Sequence, residues 1–452
     1  MPLKDLFLAI DGVDVVDEPS TLEQLREDKS GQSTDTPPLL LVTPGSVEAV
    51  QEVMKTAFAH TIPVVPRGGG SGLAGGAMGA HGEIVLDLSA LNQILEISVE
   101  DRLARVEAGV INAHLNEEAH KHGLWFAPDP SSREWSTVGG NIATNAGGLL
   151  CAKYGVTRES VLQLKVVLAD GRLIDMGHRS VKGVTGLDLC QLMIGSEGTL
   201  GVIVEATVKL LPLDPHPVWT LRAEFSSVTE AAAACVSVTS EGHTPAVLEL
   251  MDEHSHGMIS EFLGRARSGE RTAVVIAQTN GASADSDSTA ISEVLKRSAT
   301  TVERVAEGKA ADDLLHERRS MHPAMEAHGK VLIEDVAVPR SRLADMFAEI
   351  RRIEKEFSVT IPTVAHASDG NLHPNFVYQG DQVPDHIWQA ADELFRSALS
   401  LGGTLTGEHG VGLLKKRWLK DELGEDQWQL QRDIKAVFDP RGILNPGKVF
   451  SD

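Results

Sequence analysis

From Pro38 to Leu213, short apolar runs alternate with segments whose apolar positions recur at helical spacing, so strands and amphipathic helices are interleaved. "LLLVTP", "PVVP", "EIVLDL" and "ARVEAGV" read as strands, and "SVEAVQEVMKTAFAH" and "NAHLNEEAHKHG" as helices. In "LKVVLADGRLIDMG" the pair Asp170-Gly171 marks a hairpin. From about Pro215 the pattern changes, and a domain boundary is expected there: strand "WTLRAEFSS", helix "VTEAAAACVSVTSEGH", strand "PAVLELMD", then a polar, mobile-looking "GASADSDSTA". A long helix is predicted around Ser341 to Phe357, a second hairpin within "VTIPTVAHASDGNLHPNFVYQ", and a helical last quarter before "PRGILNPGKVF".

Three glycine-dense stretches interrupt the first half: "PRGGGSGLAGGA", "PDPSSREWSTVGGNIATNAGG" and "IGSEGTLGVI". The first contains a GxGxxG at Gly70, Gly72 and Gly75, yet it is not a Rossmann fingerprint. That motif needs a helix opening directly after the glycines. Here further glycines follow and the chain resumes as a strand, Glu83 to Leu88, so the loop bridges two strands. Glycine lets a backbone approach a ligand closely, and successive amides form anion-binding nests. Three such loops, the second carrying Ser136, Thr137, Asn141, Thr144 and Asn145, point to one extended phosphate-bearing cofactor.

The formal charge of -23 argues against nucleic-acid or anionic-lipid binding and gives local amides, not a basic surface, the task of holding phosphate. The opening "MPLKDLFLAIDGVDVV" fits neither a signal peptide nor a membrane span, and a cytoplasmic protein, at most peripheral to a membrane, is expected. Cys151, Cys190 and Cys235 are too widely spaced for a zinc pattern or a disulfide framework and read as buried apolar residues.

The second hairpin carries candidate chemistry. With Asp369-Gly370 as the two central turn residues, His366 falls directly across from His373, their Cβ atoms about 4.5–5.5 Å apart. Asn375 shares their face. Two imidazoles and a carboxylate from the glycine-hemmed Glu408-His409, with the Asn375 amide in the same patch, would make a three-ligand site with room for substrate, open to zinc, manganese, iron or cobalt. His60, His81, His254 and His256 lack such a setting and read as ordinary surface or core histidines.

The three glycine stretches, taken with "KYG", resemble the FAD-binding domain of vanillyl-alcohol-oxidase-type flavoproteins over nearly the whole chain. The resemblance implies an α+β fold: a two-subdomain FAD-binding domain over 1–214, an α+β substrate or cap domain with an antiparallel sheet and the metal site over 215–413, and a helical segment, 414–452, returning to the FAD domain. It implies that Pro66, Arg67, Gly68, Gly69, Gly70, Ser71 and Gly72 hold the diphosphate, and that Pro128, Asp129, Ser132, Gly139, Gly140, Thr144 and Gly147 hold the pyrophosphate and ring. Glu197, Gly198, Val202 and Ile203 would flank the adenosine, and Asn445 of "GILNPGK" would reach back to the flavin domain. One branch attaches flavin through a histidine in the first loop; Ser71 stands there, so non-covalent FAD is expected.

"AHASDGNLHPNF" and "GTLTGEHGVG" also occur in the branch of this family that oxidises D-2-hydroxy acids. By that resemblance His366, His373 and Glu408 ligate a divalent metal, zinc first among the candidates, His409 is the catalytic base and Asn375 lines the site. "LLHERRSMHPAMEAHGKVLIEDVAVPRSRL" offers Arg318 or Arg319 for the substrate carboxylate, Arg318 fitting the spacing better. Hydride would pass from substrate C2 to flavin N5, and electrons onward to a quinone, an electron-transfer flavoprotein or a cytochrome. Ile333 stands where hydroxyglutarate members have a lysine, two residues before Asp335, which favours D-lactate or glycolate; Lys330 lies nearby. D-2-hydroxyglutarate oxidation, a non-redox alkyl-transfer flavoenzyme and a non-catalytic flavin subunit are the alternatives. A homodimer is common in the family.

Overall fold

Two parallel strands, Val64–Arg67 and Ile84–Asp87, are joined by the first glycine-rich loop with no helix between them, as its glycines and the resumed strand dictate. This computed structural model describes residues 2–265, 271–380 and 382–450. The chain divides into two compact units: 1–148, 155–213 and 408–452 form the first, and 149–154 and 214–407 the second.

In the first unit a four-stranded sheet runs in the order Val13–Val16, Leu40–Pro44, Ile84–Asp87, Val64–Arg67, and a five-stranded antiparallel sheet in the order Ile94–Ser98, Leu103–Glu107, Val202–Lys209, Val161–Val167, Leu173–Gly177. The helix Val47–His60 starts where Ser46 Oγ accepts the Ala49 N–H at 3.1 Å and stops at Thr61 in the left-handed region, as its spacing predicts. Its buried face, Ala49, Val50, Val53, Met54 and Ala57, packs in one core with Val42, Val64, Ile84 and Leu86 of the first sheet and Val202 and Val204 of the second. The final segment closes this unit: Val64 and Leu444 form a parallel bridge, and the Asn445 N–H donates to Val64 O at 2.8 Å. The Asp170-Gly171 hairpin forms between Val161–Val167 and Leu173–Gly177. Cys190 and Cys235 are buried and Cys151 is half-buried.

The second unit is built on an eight-stranded sheet whose path includes Trp219–Phe225, Ala273–Thr279, Val247–Met251, Thr363–His366, Asn371–Tyr378 and Lys330–Ile333, in that order. The helix Leu343–Phe357 buries Leu343, Met346, Phe347, Ile350 and Ile353, an i, i+3, i+4, i+7 stripe, and packs against the helices Asp385–Ser400 and Val228–Ser240. "GASADSDSTA", mobile-looking by composition, is ordered for most of its length: the helix Ala284–Leu295 begins inside it. Asp285 and Asp287 sit in its first turn, where the helix dipole favours them, and Ile291, Val294 and Leu295 bury its far end.

Candidate functional site

In the first unit the glycine loops pack directly on one another. A side chain at Gly68 would collide with Thr137 Oγ1, and one at Gly69 with the Trp135 carbonyl, so only glycine allows the first loop to lie on the second. Arg67 closes the first loop, its Nη1 donating to Glu27 O at 3.0 Å and Ala77 O at 2.7 Å. Thr137 caps the short helix Val138–Thr144, accepting the Gly140 N–H at 3.1 Å, so Gly139, Gly140 and Thr144 lie on that helix. Asn112 Nδ2 reaches both Pro128 O and Asn141 Oδ1 at 3.1 Å, tying the start of the second loop to the helix. A groove of about 840 Å³ opens here, with Gly69, Thr137, Gly109 and Ile111 in its wall.

The third loop is fastened to the C-terminal segment. Glu197 accepts the backbone N–H groups of Val411 at 2.7 Å and Gly412 at 2.8 Å. Asn445, itself buried, donates from Nδ2 to Gly76 O at 2.9 Å and Glu197 O at 2.7 Å, joining the first and third loops. Gly198 lies against Pro66, and Val202 and Ile203 open a buried strand. Burial pushes the Glu197 carboxyl up to about 7, although both backbone donors and nearby Lys415 oppose the rise. Ser136 Oγ and Asn445 Oδ1 are buried without a hydrogen-bond partner, which is uncommon for buried polar atoms.

In the second unit His366 and His373 come together on one sheet face, their rings edge to face with centroids 5.0 Å apart. They are not directly opposite: His366 pairs with Asn371 and His373 with Val364. The turn therefore holds four residues, Ala367 to Gly370, in place of the expected two. Tertiary contacts enforce it. A side chain at Gly370, at φ +84°, would strike the Val338 carbonyl, the Val338 N–H donates to Gly370 O at 3.0 Å, and Asn371 Nδ2 donates to Val336 O at 2.9 Å. The slip is an even number of residues, so both imidazoles keep the same face.

Glu249, which the sequence reading did not single out, completes this cluster. It stands opposite His366 on the adjacent strand Val247–Met251, with Oε1 2.6 Å from His366 Nδ1, and its Oε2 accepts from Arg318 Nε at 2.7 Å. Burial pushes the Glu249 carboxyl up, but His366 and Arg318 outweigh burial and hold it below its ordinary value. A charged residue inside the buried run "VLELM" was the available signal. Asp335 is fully buried beside His373, 3.8 Å from its Nδ1, and accepts the Thr406 hydroxyl at 2.6 Å. Asn375 Nδ2 donates to Pro362 O at 3.2 Å and His373 O at 2.7 Å, and pairs in register with Ile333. Arg318 is half-buried on the helix Lys309–Arg319, whereas Arg319 is exposed. His256 lies 3.4 Å from the buried Glu317, which also pairs with Arg222 and Arg265.

Residues 215–449 match the C-terminal domain of the FAD-linked oxidases, and residues 38–177 match an FAD-binding domain family. The chain belongs to the FAD-linked oxidase family. It is an FAD-dependent oxidoreductase. Among its relatives, the glycolate oxidase subunit GlcD of Bacillus subtilis is 37% identical, over 92% of this chain and 89% of the relative. The D-lactate dehydrogenase of Archaeoglobus fulgidus is 36% identical, over 92% and 94% respectively. Solved structures share the fold: p-cresol methylhydroxylase at TM-score 0.78 and 17% identity, covering 99% of this chain and 96% of that one. Alkyldihydroxyacetonephosphate synthase follows at 0.75 and 21%, covering 96% and 83%. The architecture is therefore that of the vanillyl-alcohol-oxidase-type flavoproteins, α+β with antiparallel sheets. No helix among the described residues is long and apolar enough to cross a membrane.

Proposed function

We propose that the protein oxidises a D-2-hydroxy acid, D-lactate or glycolate, to the 2-oxo acid with FAD and a divalent cation, and hands the electrons to a non-nicotinamide carrier. The observation that carries the reading is the Arg318–Glu249–His366 chain beside His373: a cation-ligating pair and a carboxylate-holding arginine organised by one buried acid. The names of the relatives, glycolate oxidase subunit and D-lactate dehydrogenase, agree with it.

The residues present suit both groups. For FAD, residues 1–214 offer the loops 66–72, 128–147 and 197–203, and buried Ser136 Oγ and, from the C-terminal segment, Asn445 Oδ1 lack protein partners. For the cation, His366 faces Glu249 through Nδ1, which leaves Nε2 as its donor atom, the carboxylate–histidine arrangement common behind metal ligands. We assign His373 and Glu408 as the other ligands. Support for Glu408 is its place directly after Gly407, which lies so close to Asn371 of the histidine hairpin that a side chain there would strike it.

When bound, FAD supplies the hydride acceptor and the cation a Lewis acid for the 2-hydroxyl. Arg318 holds the substrate carboxylate by charge-assisted hydrogen bonds from its remaining donors. His409 takes the hydroxyl proton. Asn375 lines the pocket beside Ile333, whose apolar side chain gives no countercharge to a second carboxylate and so favours a monocarboxylate. The test is a screen of D- and L-2-hydroxy acids with a dye acceptor. Turnover of D-lactate or glycolate is expected; reduction by no 2-hydroxy acid would move the reading to the alkyl-transfer class.

A further inference from the structure

All five residues of the strand Val247–Met251 are buried, and Glu249 is the charged one among them. A carboxylate in such a place needs partners. It has divided its two oxygens between groups that reach it from different elements: His366 from the neighbouring strand and Arg318 from the helix Lys309–Arg319. The division has a chemical consequence for each. An imidazole that donates from Nδ1 has only Nε2 left with a lone pair. A guanidinium whose Nε is engaged can turn only its terminal nitrogens toward another anion.

We propose that Glu249 is a positioning residue that fixes, through one carboxylate, both the ring nitrogen His366 offers to a cation and the heading of the Arg318 guanidinium. The inference rests on the reading of His366 as a metal ligand and Arg318 as the carboxylate holder. It adds that the two are coupled, so that disturbing Glu249 weakens metal and substrate together. A carboxylate serving only to neutralise the half-buried arginine would alter thermal stability without touching metal affinity.

Glu249→Gln tests this, because an amide has one acceptor oxygen and can serve His366 or Arg318 but not both. Flavin-loaded protein stripped of metal is titrated with Zn²⁺ against a chromophoric chelator, and KM for D-lactate is measured after reloading. Zn²⁺ binding is expected to weaken about 10–100-fold and KM to rise, with flavin per chain unchanged. Glu249→Asp keeps both acceptor oxygens but draws them back by one methylene, and its Zn²⁺ affinity is expected between the two. Wild-type Zn²⁺ affinity and KM in Glu249→Gln would overturn the coupling while leaving the proposed function intact. If Glu249→Gln does not fold, wild-type Zn²⁺ affinity and KM in Glu249→Asp would overturn it equally. Failure of the unmutated protein to take up Zn²⁺ would overturn the metal assignment itself, and the inference with it.

Discussion

His366 and His373 meet edge to face, ring planes at 83° and centroids 5.0 Å apart, from neighbouring buried strands of one sheet. Such a pair offers two imidazole nitrogens to one cation. Replacing either by alanine is expected to take metal content from one equivalent per chain toward none, by elemental analysis, and to lower turnover at least about 100-fold. Flavin content should stay at the wild-type level, since the glycine loops belong to the other compact unit. Full metal content in both variants would remove the histidines from the ligand set.

His409→Ala separates proton removal from cofactor binding. The flavin spectrum is expected to be that of the wild type, while the rate of flavin reduction by substrate in rapid mixing falls about 10²–10⁴-fold. Unchanged bleaching would assign the base elsewhere.

Asn445 binds the first loop to the third through Gly76 O and Glu197 O. Asn445→Ala leaves the Gly76 carbonyl and the buried Glu197 carbonyl without that donor, a cost of about 1–3 kcal/mol. A lower melting temperature and faster flavin release, read by fluorescence, are expected. A variant that melts and retains flavin as the wild type does would show the tie to be dispensable.

Glu197 makes stability depend on pH. Its carboxyl loses its proton near 4.5 in the unfolded chain and at about 7 in the folded one. Between these values the folded state holds a proton that the unfolded state has released, so this group's contribution turns unfavourable as pH rises through the window and stays so above it. Glu197→Gln is expected to flatten the loss of stability between about pH 5 and pH 8 by up to about 3 kcal/mol, measured by denaturant titration. An unchanged slope would contradict the assignment.

The features legible in the sequence were those with local causes. Ser46 announces its helix, and a glycine run followed by "EIVLDL" excludes a helix between the two strands. The pairing of His366 and His373 on one face followed from strand parity alone. Their register did not, because the turn is shaped by Val338 and Asn371 contacts that local turn chemistry cannot reveal. Glu249 was missed for a similar reason: its partner His366 lies 117 residues downstream, and the only trace was a charge where an apolar residue belonged. The helix Ala284–Leu295 was hidden by a polar first turn that resembles a loop in composition.

Anaerobic mixing of the purified protein with D-lactate and with glycolate, before and after removal of its metal by chelation, tests the central claim most directly. The account predicts flavin bleaching by at least one of them, loss of that bleaching in the metal-stripped protein with FAD still bound, and its return when the divalent cation is restored. Bleaching that survives complete metal removal would contradict it.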